Sequence, residues 1–145
     1  MLIYTIHPAF YDLDWMGVVS NISYVRWMED IRTRLLNISP WPMSRLIDAK
    51  LSPAMFTTHI DYHNPYYGRD GGIIDVHINA GEKMGRSRWQ LVYDFYRAAN
   101  GSHLAHAFQI GCFVELPALR PARIPVDMVD FLVEKLNPDS TYPLD

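Results

Sequence analysis

Three residues in one short run have the types and spacing for acyl-transfer chemistry: Asp14, Gly17 and Asn21. They put a carboxylate in a glycine-bearing turn directly ahead of a helix start. That order aims an acidic side chain and a row of free backbone N–H donors at one point. Hydrolysis of an ester or thioester asks for such a pair: one group to activate or make the attack, and donors to hold the oxyanion that forms. Asp12 competes for the role, because residues two apart in an extended segment face the same way. Only the spacing to Gly17 favours Asp14. Glu29 is a further acid on the expected helix, with Arg26 and Arg32 close enough in sequence to hold it in an ion pair.

Positioning that turn requires a helix behind it and a sheet beneath it. Ser20 or Asn21 can cap a helix running to about Leu36. Ile22, Val25, Met28, Ile31 and Leu35 recur at helical spacing, and Tyr24 and Trp27 widen the stripe. A helix this apolar wants cover on several sides. Arg26 with Asp30, and Asp30 with Arg34, fall four apart and can pair on the remaining face. Residues 2–11 alternate as a first strand, with Pro8 marking an edge or a bend. A short helix over 43–50 leads into four strands, near 56–63, 74–79, 89–95 and 103–115, with Asn100 and Gly101 a strong hairpin signal before the last. A helix near 126–136 follows, and the tail from Asn137 reads as loose. The expected architecture is α+β: a five-stranded antiparallel sheet, its last four strands a meander, curved around the long helix. An edge or face is left over for a partner subunit.

Composition narrows the function classes. The chain has 145 residues, enough for one domain with a single core, and 49% hydrophobic against 20% charged residues marks it as globular. A net charge of −3 gives nucleic acid no electrostatic purchase. Nothing resembles a signal peptide, and no apolar run is long enough to span a membrane. The lone Cys112 excludes an intrachain disulfide and fits a cytoplasmic protein. Ser20 has no histidine and acid at any diagnostic spacing, so a serine-hydrolase triad has no support.

The segment carrying Asp12, Asp14, Gly17, Val19 and Tyr24 resembles the signature of hotdog-fold acyl-CoA thioesterases, in the branch similar to 4-hydroxybenzoyl-CoA thioesterase. Echoes follow in order: Asp61 to Pro65 ahead of a glycine turn, Gly85 to Arg88 opening a strand, and Arg123 to Pro125 before the last helix. The resemblance implies that Asp14 is the catalytic carboxylate, as nucleophile or general base. Gly17 would let the turn approach the helix, and Asn21 would stand where a backbone N–H polarises the thioester carbonyl. Some relatives have histidine at that last position; this chain has asparagine. An acyl-CoA or acyl-carrier-protein thioester is the implied substrate, with homodimers or homotetramers holding the site at a subunit interface. No cofactor is implied. A hotdog protein that binds acyl-CoA without turning it over is the alternative.

The remaining candidates would bind substrate. Lys83, Arg86 and Arg88 cluster where a strand begins, and such groups suit the phosphates of coenzyme A. Ser87 sits among them. Tyr24 is compatible with contact to an aromatic or long acyl group, and His59 or His63 could reach substrate near a subunit boundary. His59, Asp61 and His63 share one strand face, with Asp75, His77 and Asn79 expected opposite on the next strand. Imidazole and carboxylate ligands suit a metal, but alternating polar residues are what an exposed strand face shows anyway, and no metal is expected.

Overall fold

The computed structural model describes residues 1–137 and 139–144; Pro138 and Asp145 lie outside them. In chain order the elements are β1 (Leu2–Ile6), a 3-10 turn (Phe10–Asp12), α1 (Asn21–Ile38), α2 (Met43–Asp48), β2 (Leu51–Tyr62), a second 3-10 turn (Gly68–Asp70), β3 (Ile74–Ala80), β4 (Arg88–Arg97), β5 (His103–Glu115), β6 (Arg120–Ala122), α3 (Val126–Lys135) and β7 (Tyr142–Pro143).

Ser20 caps α1, accepting from the Ser23 amide at 3.4 Å, and Ser39 ends the helix by bonding back to the Leu36 carbonyl through both its amide and its hydroxyl. The buried stripe is Tyr24, Trp27, Met28, Ile31 and Leu35. Ile22 and Val25 were expected on it and are instead 69% and 42% exposed. A stripe this wide cannot all face one sheet, and the fold leaves this side of α1 bare. Of the expected ion pairs, Arg34 holds Asp30 at 3.0 Å, Arg32 holds Glu29, and Arg26 turns away to Asp12.

The sheet runs β2-β5-β4-β3-β1-β7, with β6 alongside the end of β5, so among the described residues seven strands take the place of the expected five. Only β3, β4 and β5 form a meander. The chain leaves β2, crosses the sheet, and begins β3 on the far side of β4 and β5. The expected facing of His59, Asp61 and His63 against Asp75, His77 and Asn79 therefore fails, since two strands separate them. β2 is longer than expected because it tolerates Pro53 at the open edge and a bulge between Met55 and Thr57. β1 stops at Ile6, short of Pro8. The tail is not loose throughout: Tyr142 and Pro143 pair in parallel with Leu2 and Ile3, and Leu144 is buried.

Alternation puts Ile74, Val76 and Ile78, and Trp89, Leu91, Tyr93 and Phe95, on the face toward α1, in one core with α1 and α3. Gln109 is the polar exception on that face. It is 1% exposed; its carbonyl oxygen accepts from the Tyr93 hydroxyl at 3.0 Å and its amide donates to Thr58 at 3.3 Å. Tyr93→Phe leaves that carbonyl unpaired in the core, so we expect a loss of about 1–3 kcal/mol in stability. Urea denaturation with an unchanged slope reads it, and a variant as stable as wild type would refute the assignment.

Candidate active site

The turn ahead of α1 is a small knot of backbone bonds. The Asp14 amide donates to the Val18 carbonyl at 2.8 Å, the Gly17 amide donates to the Asp14 carbonyl at 3.0 Å, and Leu13 bridges Val19. Closing so tightly takes a φ of +75° at Gly17, a conformation glycine adopts without penalty. The turn is docked on the chain beyond β2: the Gly68 amide donates to the Gly17 carbonyl at 2.8 Å, and the Val19 amide to the Tyr66 carbonyl at 3.0 Å.

Within this knot the two aspartates have different surroundings. Asp12 ends a 3-10 turn rather than lying in extended chain. It is 4% exposed, with one oxygen 3.2 Å from Arg26 and the other accepting from the Ala9 amide at 2.8 Å. Its backbone carbonyl holds the Ser20 amide and the Ser23 hydroxyl. Asp12 is a structural pin for the entry to α1. Asp14 is half-buried, and only its Oδ1 is engaged, accepting from the Met16 amide at 2.8 Å and the Val18 amide at 3.1 Å. Its Oδ2 has no partner among the described residues, so the carboxylate is held at one oxygen and free at the other.

Asn21 opens α1 and is exposed, with its carbonyl 3.5 Å from the Tyr62 hydroxyl. A helix leaves its first amides without internal partners and carries partial positive charge there. The amides of Asn21 and Ile22 make no hydrogen bond among the described residues. A carboxylate with one free oxygen thus sits on the turn that delivers a helix start with free donors.

The other candidates lie elsewhere in the protomer. Tyr24 is in the core, edge-on to Trp27, Tyr62 and Phe95 at centroid distances of 5.1–5.4 Å, and burial pushes its hydroxyl up to about 12. His59 is on the outer sheet face, stacked on Phe108 and 2.9 Å from Asp61, whose carboxyl that hydrogen bond holds below the usual range. Lys83, Arg86 and Ser87 are exposed in the loop between β3 and β4, and exposed Arg88 opens β4. That loop leaves the end of β3 away from Gly68 and the Asp14 turn, roughly 20 Å along the strand. The protomer therefore brings Asp14, Gly17 and Asn21 together, but not the basic cluster. Among the described residues no group of three or more His, Cys, Asp or Glu side chains is arranged to hold a metal, and no helix is long and apolar enough to cross a membrane.

Two features escaped the sequence reading. Around the turn, Phe10, Tyr11, Trp15 and Met16 expose large apolar surfaces. Patterning gives no sign of this, because alternation in a loop has no fixed meaning. A cavity of about 300 Å³ also lies between α1, α2, α3 and the start of β2, lined by Leu36, Leu46, Leu51, Trp89 and Leu132 among others. None of its walls is Asp14, Gly17 or Asn21.

Residues 8–136 match the family model of the thioesterase-like superfamily. A protein of Aquifex aeolicus (strain VF5) that carries a provisional esterase name is 26% identical over 95 residues, covering 66% of this chain and 72% of its own. The fold matches the 1,4-dihydroxy-2-naphthoyl-CoA thioesterase of Synechocystis with a TM-score of 0.81 at 17% identity, over 95% of this chain and 97% of that one. It also matches a Staphylococcus aureus protein solved in complex with CoA, with a TM-score of 0.84 at 12% identity, over 97% and 88% of the two chains. By this match and its hotdog-like α+β architecture, the chain belongs to the thioesterase-like superfamily and is a thioester hydrolase by family.

Proposed function

We propose that this protein hydrolyses acyl-coenzyme A thioesters as a homodimer with composite active sites. The observation that carries the reading is the half-free Asp14 carboxylate on the turn that presents the unpartnered amides of Asn21 and Ile22. In the proposed reaction Asp14 takes a proton from water as the water oxygen attacks the thioester carbonyl. The amides at the helix start hold the oxyanion, which collapses with cleavage of the C–S bond, and the departing sulfur takes up a proton. Direct attack by Asp14, through an anhydride that water then opens, uses the same two groups. That a neighbour of this fold was solved with CoA and another is a CoA thioesterase supports the choice of thiol.

The subunit arrangement follows from what the protomer leaves open. β2 is a twelve-residue edge strand, with exposed apolar side chains at Phe56 on the strand and at Ile22 and Val25 on α1. Long open edges and apolar patches of this kind are surfaces for association. The Tyr62 end of β2 meets the Asn21 end of α1, whereas the Leu51 end lies toward Arg88, because Ala54 and Arg88 both pair with Cys112. A two-fold antiparallel pairing of β2 with its copy sets the Tyr62 end of one subunit beside the Leu51 end of the other. Lys83, Arg86 and Arg88 then serve the Asp14 site of the partner, where the phosphates of coenzyme A would lie. Dimers stacking into tetramers through the outer sheet face, where His59 lies, would extend the same assembly.

Thiol release from a panel of acyl-CoA and acyl-carrier-protein thioesters tests the reading; binding of acyl-CoA without turnover of any would overturn it in favour of a ligand-binding role. Within the panel, Arg86→Glu together with Arg88→Glu should raise KM about tenfold or more with kcat little changed. Each phosphate contact contributes to ground state and transition state alike. The penalty should shrink at high salt, and a KM that ignores both charge reversal and salt would remove these residues from the site.

A further inference from the structure

The cavity beside α1 is far from the Asn21 end of the helix, and a band of exposed side chains on α1 and β2 runs between the two. On α1, Ile22, Val25 and Glu29 recur along one side, and all three are exposed. Facing them, Tyr62, Thr58 and Met55 are on the α1 side of β2 but exposed as well, so strand and helix do not close on each other there. At one end the Tyr62 hydroxyl is 3.5 Å from the Asn21 carbonyl. At the other, Arg32 reaches Met55 at 3.1 Å and pairs with Glu29, and both charged residues stand at the wall of the 300 Å³ cavity. Beyond them the walls are apolar except for Thr33 and Ser52.

From this geometry we infer that the substrate's acyl group is a long unbranched aliphatic chain, which runs down the cleft between α1 and β2 and ends in the cavity. The inference rests on the acyl-CoA reading above and names its substrate class. Length decides it. Along a helix rising about 1.5 Å per residue, Glu29 lies about 12 Å and Leu36 about 22 Å from Asn21. With carbon–carbon bonds of about 1.5 Å in zigzag, an extended chain advances roughly 1.3 Å per carbon. Chains of about nine carbons stop at the rim, and about seventeen carbons reach the level of Leu36. Each methylene that enters leaves water, whereas methylenes in the open cleft gain less. An aromatic acyl group is too short to use the cavity.

The test is kcat/KM across a saturated acyl-CoA series from butanoyl to stearoyl, with benzoyl-CoA included, alongside binding of the fluorescent eighteen-carbon cis-parinaric acid. The expected profile is shallow up to about ten carbons and climbs at least tenfold from octanoyl to palmitoyl. Filling the cavity by Leu36→Trp or, independently, Leu51→Trp should cut the palmitoyl-to-octanoyl ratio about tenfold and weaken parinaric acid binding. Asp14→Asn should still bind it. Hydrolysis that is flat or falling beyond octanoyl, or best with benzoyl-CoA, overturns the inference while the acyl-CoA reading stands. If no thioester is hydrolysed, that reading fails, and parinaric acid binding alone decides the cavity: absent binding overturns the inference. Should both tryptophan variants misfold by circular dichroism, the wild-type length profile decides.

Discussion

Asp14→Asn is expected to lower kcat by about a hundredfold or more, with folding intact. The side-chain amide keeps an oxygen where Oδ1 now accepts from Met16 and Val18, so the knot of backbone bonds has no reason to open. What disappears is the negative charge and the basic Oδ2 lone pairs, the only part of the side chain that structure does not already use. Asp14→Ala removes both and is a poorer test, because two turn amides also lose their acceptor at a cost of about 1 kcal/mol each. The informative control is Asp12→Asn. Asp12 is spent on Arg26 and the Ala9 amide, so its substitution should lower the unfolding midpoint while turnover per folded molecule changes little. Steady-state thiol release together with thermal unfolding on both variants separates the two roles. Full activity in Asp14→Asn, or a dead enzyme from Asp12→Asn with normal stability, would reverse the assignment.

The geometry of the turn was legible because it is local. Asp14, Gly17 and Asn21 are brought together by a hairpin, a positive φ and a helix cap, each of which a few adjacent residues specify. The α1 helix and the β3-β4-β5 meander were legible for the same reason. What failed was non-local. No residue in β2 announces that its partner is β5 rather than β3, since alternation fixes which face is buried and says nothing about which neighbour pairs. β6 and β7 are too short to carry a period at all. Asp12 and Asp14 were inseparable as extended chain, and the 3-10 turn that separates them depends on Asp12 itself accepting from Ala9. The excess apolar breadth of α1 was visible, but its meaning was not: Ile22 and Val25 were counted as core when they mark the side the protomer leaves open. The basic cluster at Lys83, Arg86 and Arg88 was likewise readable by composition and unreadable by place. It lies at the far end of β3 from Asp14, so nothing within the described chain joins the two.

The proposed two-fold pairing of β2 gives the other large expected effect: Phe56→Asp should convert the protein to a monomer and lower kcat/KM by about a hundredfold at substrate levels that saturate neither form. Phe56 lies at the middle of β2, at the bulge itself, with its ring against Arg88 and 57% exposed in the single chain. A two-fold axis that pairs the most of a twelve-residue strand with its copy passes close to this position, so the substitution sets two carboxylates against each other where apolar surface should be buried. Like charges facing across strands are unfavourable, and the lost burial of two aromatic rings adds several kcal/mol. Because the side chain is already open to solvent in the isolated subunit, the fold itself should persist, with unchanged secondary structure by circular dichroism. The monomer would retain Asp14, Gly17 and Asn21 in their knot but lack a phosphate-binding wall and cover over Ile22 and Val25. Its defect should therefore fall mainly on KM, in contrast to Asp14→Asn, where it falls on kcat. Sedimentation velocity and kinetics on the same sample decide the matter. A variant that stays dimeric would move the interface elsewhere on the surface, and a monomer with wild-type kcat/KM would mean that each subunit carries a whole site.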